Sequence, residues 1–266
     1  DSMIMFSKWV EPQKIAKEVT LLVAERKGYS GLDAAIANAE KDYGAQIVRL
    51  NCKLRKISST ELKGRLELNY NLSDYIMPEI ADYIIANKLY KNYNNVVEYL
   101  KSKLTERTYN HSVRTAIFAL KYANILGLSY EKVFLASLLH DVAKNIKFSE
   151  SDYPNTNNSV KHQYHARILL ENELHITDDD IIDAVEFHTT GKPNMSTLGK
   201  LVYVADKLEE HRDYPSVNTL RSTVDADFDR GFAMVVKNQL EFLKNSTQSI
   251  DSLTMQCALW YNVEEI

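Results

Sequence analysis

From residue 96 onward, apolar residues recur at helical spacing over 96–104, 110–126, 130–142, 162–174, 178–189, 196–209 and 227–245, with no strand-like alternation between them. In 110–126, Val113, Ala116, Ile117, Leu120 and Ala123 fall on one face. The pattern predicts an all-α domain over 96–266. Gly127 and Ser129 separate two helices, and Thr177 followed by three aspartates starts another. The Ser, Asp and Asn of 149–160 make a polar surface loop. Upstream the pattern changes. Two short apolar runs, Thr20-Leu21-Leu22-Val23-Ala24 and Gln46-Ile47-Val48-Arg49-Leu50, flank a helix-like 31–43 and read as buried strands joined by a crossover. One short helix opens at Ser59-Thr60-Glu61-Leu62, another covers 77–86, and the Lys, Tyr and Asn of 88–95 mark a boundary. The expected architecture is mainly α, with a partial α/β segment over 1–95.

A chain of 266 residues with 45% hydrophobic and 26% charged residues buries a core, which excludes general disorder. The net charge of −4 gives no basic field for nucleic acid or an anionic membrane, so neither is expected as a partner. Cys52 and Cys257 are too few for a disulfide framework and fit a reducing cytoplasm. No apolar run approaches eighteen residues, and the first residues lack signal-peptide features, so a soluble, unsecreted protein is expected.

The dipeptide His140-Asp141 closes the apolar run Val133-Phe134-x-Ala136-x-Leu138-Leu139. Two adjacent metal-capable side chains at a helix end serve a core poorly and a metal well. His111, His162, His188 and Asp206 lie on the neighbouring predicted helices. Together the four histidines and two aspartates form a mixed nitrogen and oxygen set suited to iron, manganese or similar ions. His188 shares a face with Ile181 and Val185, and Asp206 with Val202, so both point inward, where an ionisable group needs a partner.

The pattern His111, His140-Asp141, Asp206 resembles the HD superfamily of metal-dependent phosphohydrolases. Within it, the string from Asp183 through His188-Thr-Thr-Gly to Ser196, and Lys200-Leu-Val-Tyr-Val-Ala-Asp206-Lys-Leu-Glu209 with Arg212, resemble the YqeK-type symmetrical bis(5'-nucleosyl)-tetraphosphatases over about 105–262. The resemblance implies an all-α HD-domain bundle, cleavage of diadenosine tetraphosphate into two ADP, and one or two iron ions, with manganese or another divalent metal as the alternative. It implies His111, His140, Asp141 and Asp206 as core metal ligands, and His162 and His188 as histidines facing the phosphates or a second metal. Asp141, Lys144, His162 and His188 are then the catalytic set. Where the family shows His-x-Pro-Val-Gly-Ala, this chain has His162-Gln-Tyr-His165-Ala166. His162 is preferred on spacing, and His165 stays open as the functional residue or a neighbour. His175 and His211 match no role and read as surface.

Polyphosphate hydrolysis needs cations and a nucleophile at neutral pH, and a metal supplies both. If two ions bind, Asp141 is the natural bridge. Lys144 and Arg212 are placed to neutralise phosphates, and Thr189, Thr190 and Gly191 offer hydroxyl and amide donors. Nucleotide contacts are assigned to Arg107, Thr189, Thr190, Arg212, Thr247 and Ser252, and the resemblance implies that the stretch around 247–252 helps form the nucleoside pocket. The partner is a small dinucleoside polyphosphate, a homodimer is left open, and the alternatives are an HD hydrolase of another nucleotide or a nucleotide-sensing module.

Over about 1–90, Phe6-Ser7-Lys8-Trp9, Arg26-Lys27-Gly28-Tyr29 and Ile57-Ser58-Ser59-Thr60-Glu61-Leu62 resemble the second half of a nicotinate mononucleotide adenylyltransferase (NadD-like), a truncated Rossmann-like segment. The resemblance places Trp9 and Arg26 at the nucleotide and the Ile-Ser-Ser-Thr helix start at ATP phosphates. The family's Gly-rich first strand and His-x-Gly-His turn do not occur here. The expectation is a part of a two-enzyme fusion, inactive as an adenylyltransferase in this form.

Overall fold

The computed structural model describes residues 2–25, 31–52, 58–90, 92–149, 151–153, 156–246 and 249–263. The chain forms two compact units, Asp1–Lys56 and Ile57–Ile266.

In the first unit, a short 3-10 turn at Phe6–Lys8 leads into α1 (Pro12–Glu18), β1 (Thr20–Ala24), α2 (Leu32–Tyr43) and β2 (Gln46–Leu50). β1 and β2 pair in parallel, from Thr20 opposite Gln46 to Ala24 opposite Leu50. A parallel pair needs a long crossover, which α2 supplies. Leu21, Val23 and Ile47 pack with Phe6, Ala16, Ile36 and Ala39. The expectation of buried strands is corrected on the other face, where Leu22, Val48 and Leu50 are exposed. An apolar run does not reveal whether helices cover one face of a strand or both.

The second unit contains α3 (Ser59–Leu68), α4 (Pro78–Ala86), α5 (Asn94–Lys103), α6 (Glu106–Ala123), α7 (Tyr130–Leu139), α8 (Lys161–Asn172), α9 (Asp179–Glu186), α10 (Thr197–Leu208), α11 (Val217–Ala226), α12 (Phe228–Lys244) and α13 (Ser252–Trp260). α6 is the central element, packing on α3, α7 and α10, and α10 packs in turn on α7 and α9. The five residues of its apolar face are all in the core. Helix starts are set by side-chain caps: Thr105 Oγ1 accepts from Thr108 N, Asp178 from Asp180 N and Ile181 N, and Ser196 from Gly199 N.

The packing boundary falls at 56/57, whereas the sequence places a domain boundary at 95/96. Gly64 explains the difference. A Cβ there would meet Leu120 Cδ1 at 2.2 Å, so glycine lets α3 lie directly on α6 and join the helical core. Ser58 Oγ caps this helix by accepting from Glu61 N. α1, α11 and α13 have no counterpart among the predicted helices. In α11 the anchors Val217, Leu220 and Val224 are buried, but Asn, Ser and Thr between them hide the pattern. Among the described residues no helix is long and apolar enough to cross a membrane.

Candidate metal centre

Two helix ends build the centre in the same way. α7 stops at Leu139 and α9 at Glu186, so His140 and His188 lie just past their helices, not within them as the sequence suggests. The last carbonyls of a helix lack intrahelical partners. His140 Nδ1 donates to Ser137 O and His188 Nδ1 to Val185 O, each at 2.7 Å and each three residues back. Both Nε2 atoms are thereby left as lone-pair acceptors turned to the same place. His111 comes from the second turn of α6, its Nδ1 directed to Glu209 Oε1 at 3.2 Å.

The contacts run in a chain. His111 Nε2 is 2.9 Å from Asp206 Oδ1 and 3.3 Å from His140 Nε2. His140 Nε2 is 3.6 Å from Asp141 Oδ2, and Asp141 Oδ1 is 3.2 Å from both His162 Nε2 and His188 Nε2. Three overlapping sets place their ligand atoms within 4.8 Å of one another: His111, His140, Asp141; His140, His188, Asp206; and Asp141, His162, His188. Arg212 Nη2 closes one end, 2.8 Å from Asp206 Oδ1, and Lys144 Nζ the other, 3.2 Å from His162 Nε2. Thr189 Oγ1 stands 2.9 Å from His188 Nε2 and 3.2 Å from His162 Nε2.

Burial drives His140 down to about 3, keeping it neutral as a metal ligand must be, and it lowers His162 as well. Burial also opposes ionisation of Asp141, but the neighbouring His140, His162, His188 and Lys144 hold its carboxyl well below the usual range. For Asp206, Lys207 and His111 overcome burial in the same direction. His111 is desolvated too, yet its bonds to Asp206 and Glu209 raise it to about 9, so protons compete with a cation for it. The imidazole lone pairs of His140 and His162, kept neutral by burial, face the Asp141 carboxylate and repel it unless a cation lies among them. The donor set therefore fits a divalent metal, and its imidazole and carboxylate mixture is that of a transition ion.

The structure gathers His111, His140, Asp141, His162, His188, Asp206, Lys144, Thr189 and Arg212. Of the two open histidines it brings His162 to the cluster, while His165 Nδ1 pairs with Tyr153 OH at 3.0 Å. Thr190 is buried, and its hydroxyl and amide are engaged by Gln163, so they are not turned to the centre. Arg107 is exposed on α6, one turn before His111, and Ser252 is exposed at the start of α13 without a hydrogen bond to the cluster. Thr247 and Arg26 lie outside the described residues. His175 and His211 are exposed. In the first unit, Trp9 lines a cavity with Met3, Phe6, Leu21, Val23 and Leu32.

Two residues escape the sequence reading. Lys207 is half-buried with Nζ 3.6 Å above the Tyr203 ring, donating to His188 O and Asp206 Oδ2, and its desolvation lowers its pKa. Glu209 binds His111. Its signal was its place three residues after Asp206, on the same helix face.

Comparison with known proteins agrees with this geometry. The HD domain profile matches residues 108–210, the stretch that carries all six candidate ligands. The second unit thus contains an HD domain, a class of metal-dependent hydrolases. The symmetrical bis(5'-nucleosyl)-tetraphosphatase of Bacillus subtilis strain 168 is 30% identical over 57% of this chain and 87% of its own length. The chain belongs to the family of symmetrical bis(5'-nucleosyl)-tetraphosphatases. A probable nicotinate-nucleotide adenylyltransferase/Ap4A hydrolase of Mycoplasma genitalium is 28% identical over 80% of this chain, which spans 59% of that protein. Among solved structures, a predicted HD superfamily hydrolase involved in NAD metabolism from Clostridium acetobutylicum superposes with a TM-score of 0.56 at 28% identity, covering 65% of this chain and 98% of that one.

Proposed function

We propose that this chain hydrolyses diadenosine tetraphosphate symmetrically to two ADP in the cytoplasm, with iron held by His111, His140, Asp141 and Asp206, and by His162 and His188 around Asp141. The observation that carries this is the convergence of four imidazole Nε2 atoms on two carboxylates, Asp141 buried and Asp206 half-buried. When bound, a divalent ion withdraws charge from phosphoryl oxygens and lowers the pKa of water. The two cations at the ends of the contact chain do the rest of the charge neutralisation. Lys144 and Arg212 each have partly exposed side chains, free to swing from their carboxylates onto adjacent phosphates. Thr189 offers its hydroxyl to an oxygen of the phosphate being attacked. Arg107 is assigned to an outer phosphate and Ser252 to the nucleoside.

Water attacks the second phosphorus from one nucleoside, the bond from that phosphorus to the central bridging oxygen breaks, and ADP leaves with the electron pair. The other half, now carrying the water oxygen, is also ADP. The name of the Bacillus subtilis relative supports this reading, and the two free cysteines, Cys52 and Cys257, support a reducing compartment. The segment 1–95 is read as the C-terminal part of an adenylyltransferase fold, supported by the Mycoplasma genitalium relative that joins both names. Metal analysis of the purified protein, followed by product chromatography with diadenosine tetraphosphate in oxygen-18 water, tests the proposal. Iron with two ADP as sole products, one of each pair labelled, is expected. AMP with ATP, or hydrolysis of only deoxynucleotides or guanosine polyphosphates, defeats it.

A further inference from the structure

We propose that Glu209 and Arg114 form a positioning pair that fixes the imidazole of His111, neither of them touching substrate. The inference rests on reading the histidine cluster as a metal centre.

His140 and His188 are held by carbonyls of their own helix ends, but His111 has no such support. It sits in the second turn of α6, where backbone carbonyls are already engaged by amides one turn ahead. Its Nδ1 must find an acceptor elsewhere, and Glu209 Oε1, from the end of α10, meets it at 3.2 Å. Glu209 is 2% exposed, and a buried carboxylate needs its oxygens filled. Arg114 fills them with a fork, Nε 2.8 Å from Oε2 and Nη2 3.3 Å from Oε1, while His211 N donates to Oε2 at 2.8 Å. Arg114 lies three residues after His111, on the same face of α6. One helix therefore carries both the ligand and the arginine that grips the ligand's anchor, so the imidazole is fixed in rotation and in its distance from Asp206. The neighbouring Glu210 turns the other way and accepts from Tyr70 OH.

A ligand histidine that loses the acceptor on its far nitrogen also loses basicity and orientation, which typically lowers metal affinity about 10–100-fold. The test uses the full chain stripped with EDTA and titrated with Mn²⁺ by calorimetry. Glu209→Ala should raise the Mn²⁺ Kd by about that factor, and Arg114→Met should raise it in the same direction. At saturating Mn²⁺, kcat should fall while KM for diadenosine tetraphosphate stays within about threefold, since neither residue meets phosphate. Glu210→Gln, which alters the adjacent carboxylate only, should leave the Kd unchanged. If Glu209→Ala loses its helical circular dichroism, Glu209→Gln carries the test, with a smaller rise expected because the amide oxygen still accepts from Nδ1. A second arm needs neither metal nor activity: in stripped wild type, the His111 Nδ1 nitrogen-15 resonance should be that of a protonated, hydrogen-bonded nitrogen, and it should shift in Glu209→Ala. An unchanged Kd in folded Glu209→Ala, or an unmoved resonance, overturns the proposal while the functional reading stands. If wild type itself neither binds Mn²⁺ nor cleaves the substrate, the functional reading fails, and the resonance alone decides the pairing.

Discussion

Gly191→Ala should show how tightly the centre depends on the C-terminal helix. Gly191 follows His188, Thr189 and Thr190 in the turn after α9, with φ at +67°. A Cβ there would stand 2.6 Å from Cys257 Sγ and 3.5 Å from Tyr203 Cε2, both in fully buried side chains. Two costs add. The left-handed backbone is unfavourable for alanine by about 1–2 kcal/mol, and forcing a methyl into a packed interior costs about 1–3 kcal/mol. The sum, about 2–5 kcal/mol, corresponds to a fall in melting temperature on the order of 10 °C for a unit of this size. The costs separate in a Cys257→Ala background, where the thiol is gone and only the backbone part, about 1–2 kcal/mol, should remain. Urea denaturation of the four proteins, followed by far-ultraviolet circular dichroism, measures both. Turnover by Gly191→Ala should fall and recover in part in the double variant, because the displaced turn carries His188 and Thr189. An equal stability cost for Gly191→Ala in both backgrounds would refute the packing argument.

Asp141→Ala should abolish hydrolysis and release bound metal while the helical dichroism persists, and full activity in that variant would end the metal mechanism. Arg212→Ala should lower kcat/KM by roughly ten- to a hundredfold through a lost charged phosphate contact, an effect read from initial rates. At pH 8 one thiol should react quickly with a disulfide reagent: Cys52 is exposed, whereas burial pushes Cys257 up to about 12, and two fast thiols would contradict its packing. Asp178→Ala should cost about 1 kcal/mol by removing the α9 cap. Lys132 and the cap amides hold the Asp178 carboxyl below its ordinary value, so its contribution is complete above about pH 4 and is lost as the pH falls through the lowered pKa. The stability difference between wild type and variant should thus narrow as the pH falls below about 4, as denaturation across an acid pH series will show.

What the sequence discloses and what it hides divide along a physical line. The six candidate ligands were legible because ionisable residues such as His140, Asp141, His188 and Asp206 stand beside apolar helical runs, where burial demands a partner. Their aim was not. His140 and His188 look like helix residues in the sequence, yet each works because its helix has already ended and left a carbonyl three residues back for Nδ1. A run of apolar residues does not mark the residue at which the backbone stops being helical. Partners distant in the chain were equally hidden: Thr190, with hydroxyl and amide that suggest a phosphate contact, is taken by Gln163, twenty-seven residues earlier. Glu209 reaches His111 across ninety-eight residues. The first unit teaches the same limit, since Leu22 and Val48 belong to apolar runs but lie exposed. Local pattern thus determines which side chains must be satisfied, and the packing of α6 against α10, with two helix ends facing the same point, determines what satisfies them.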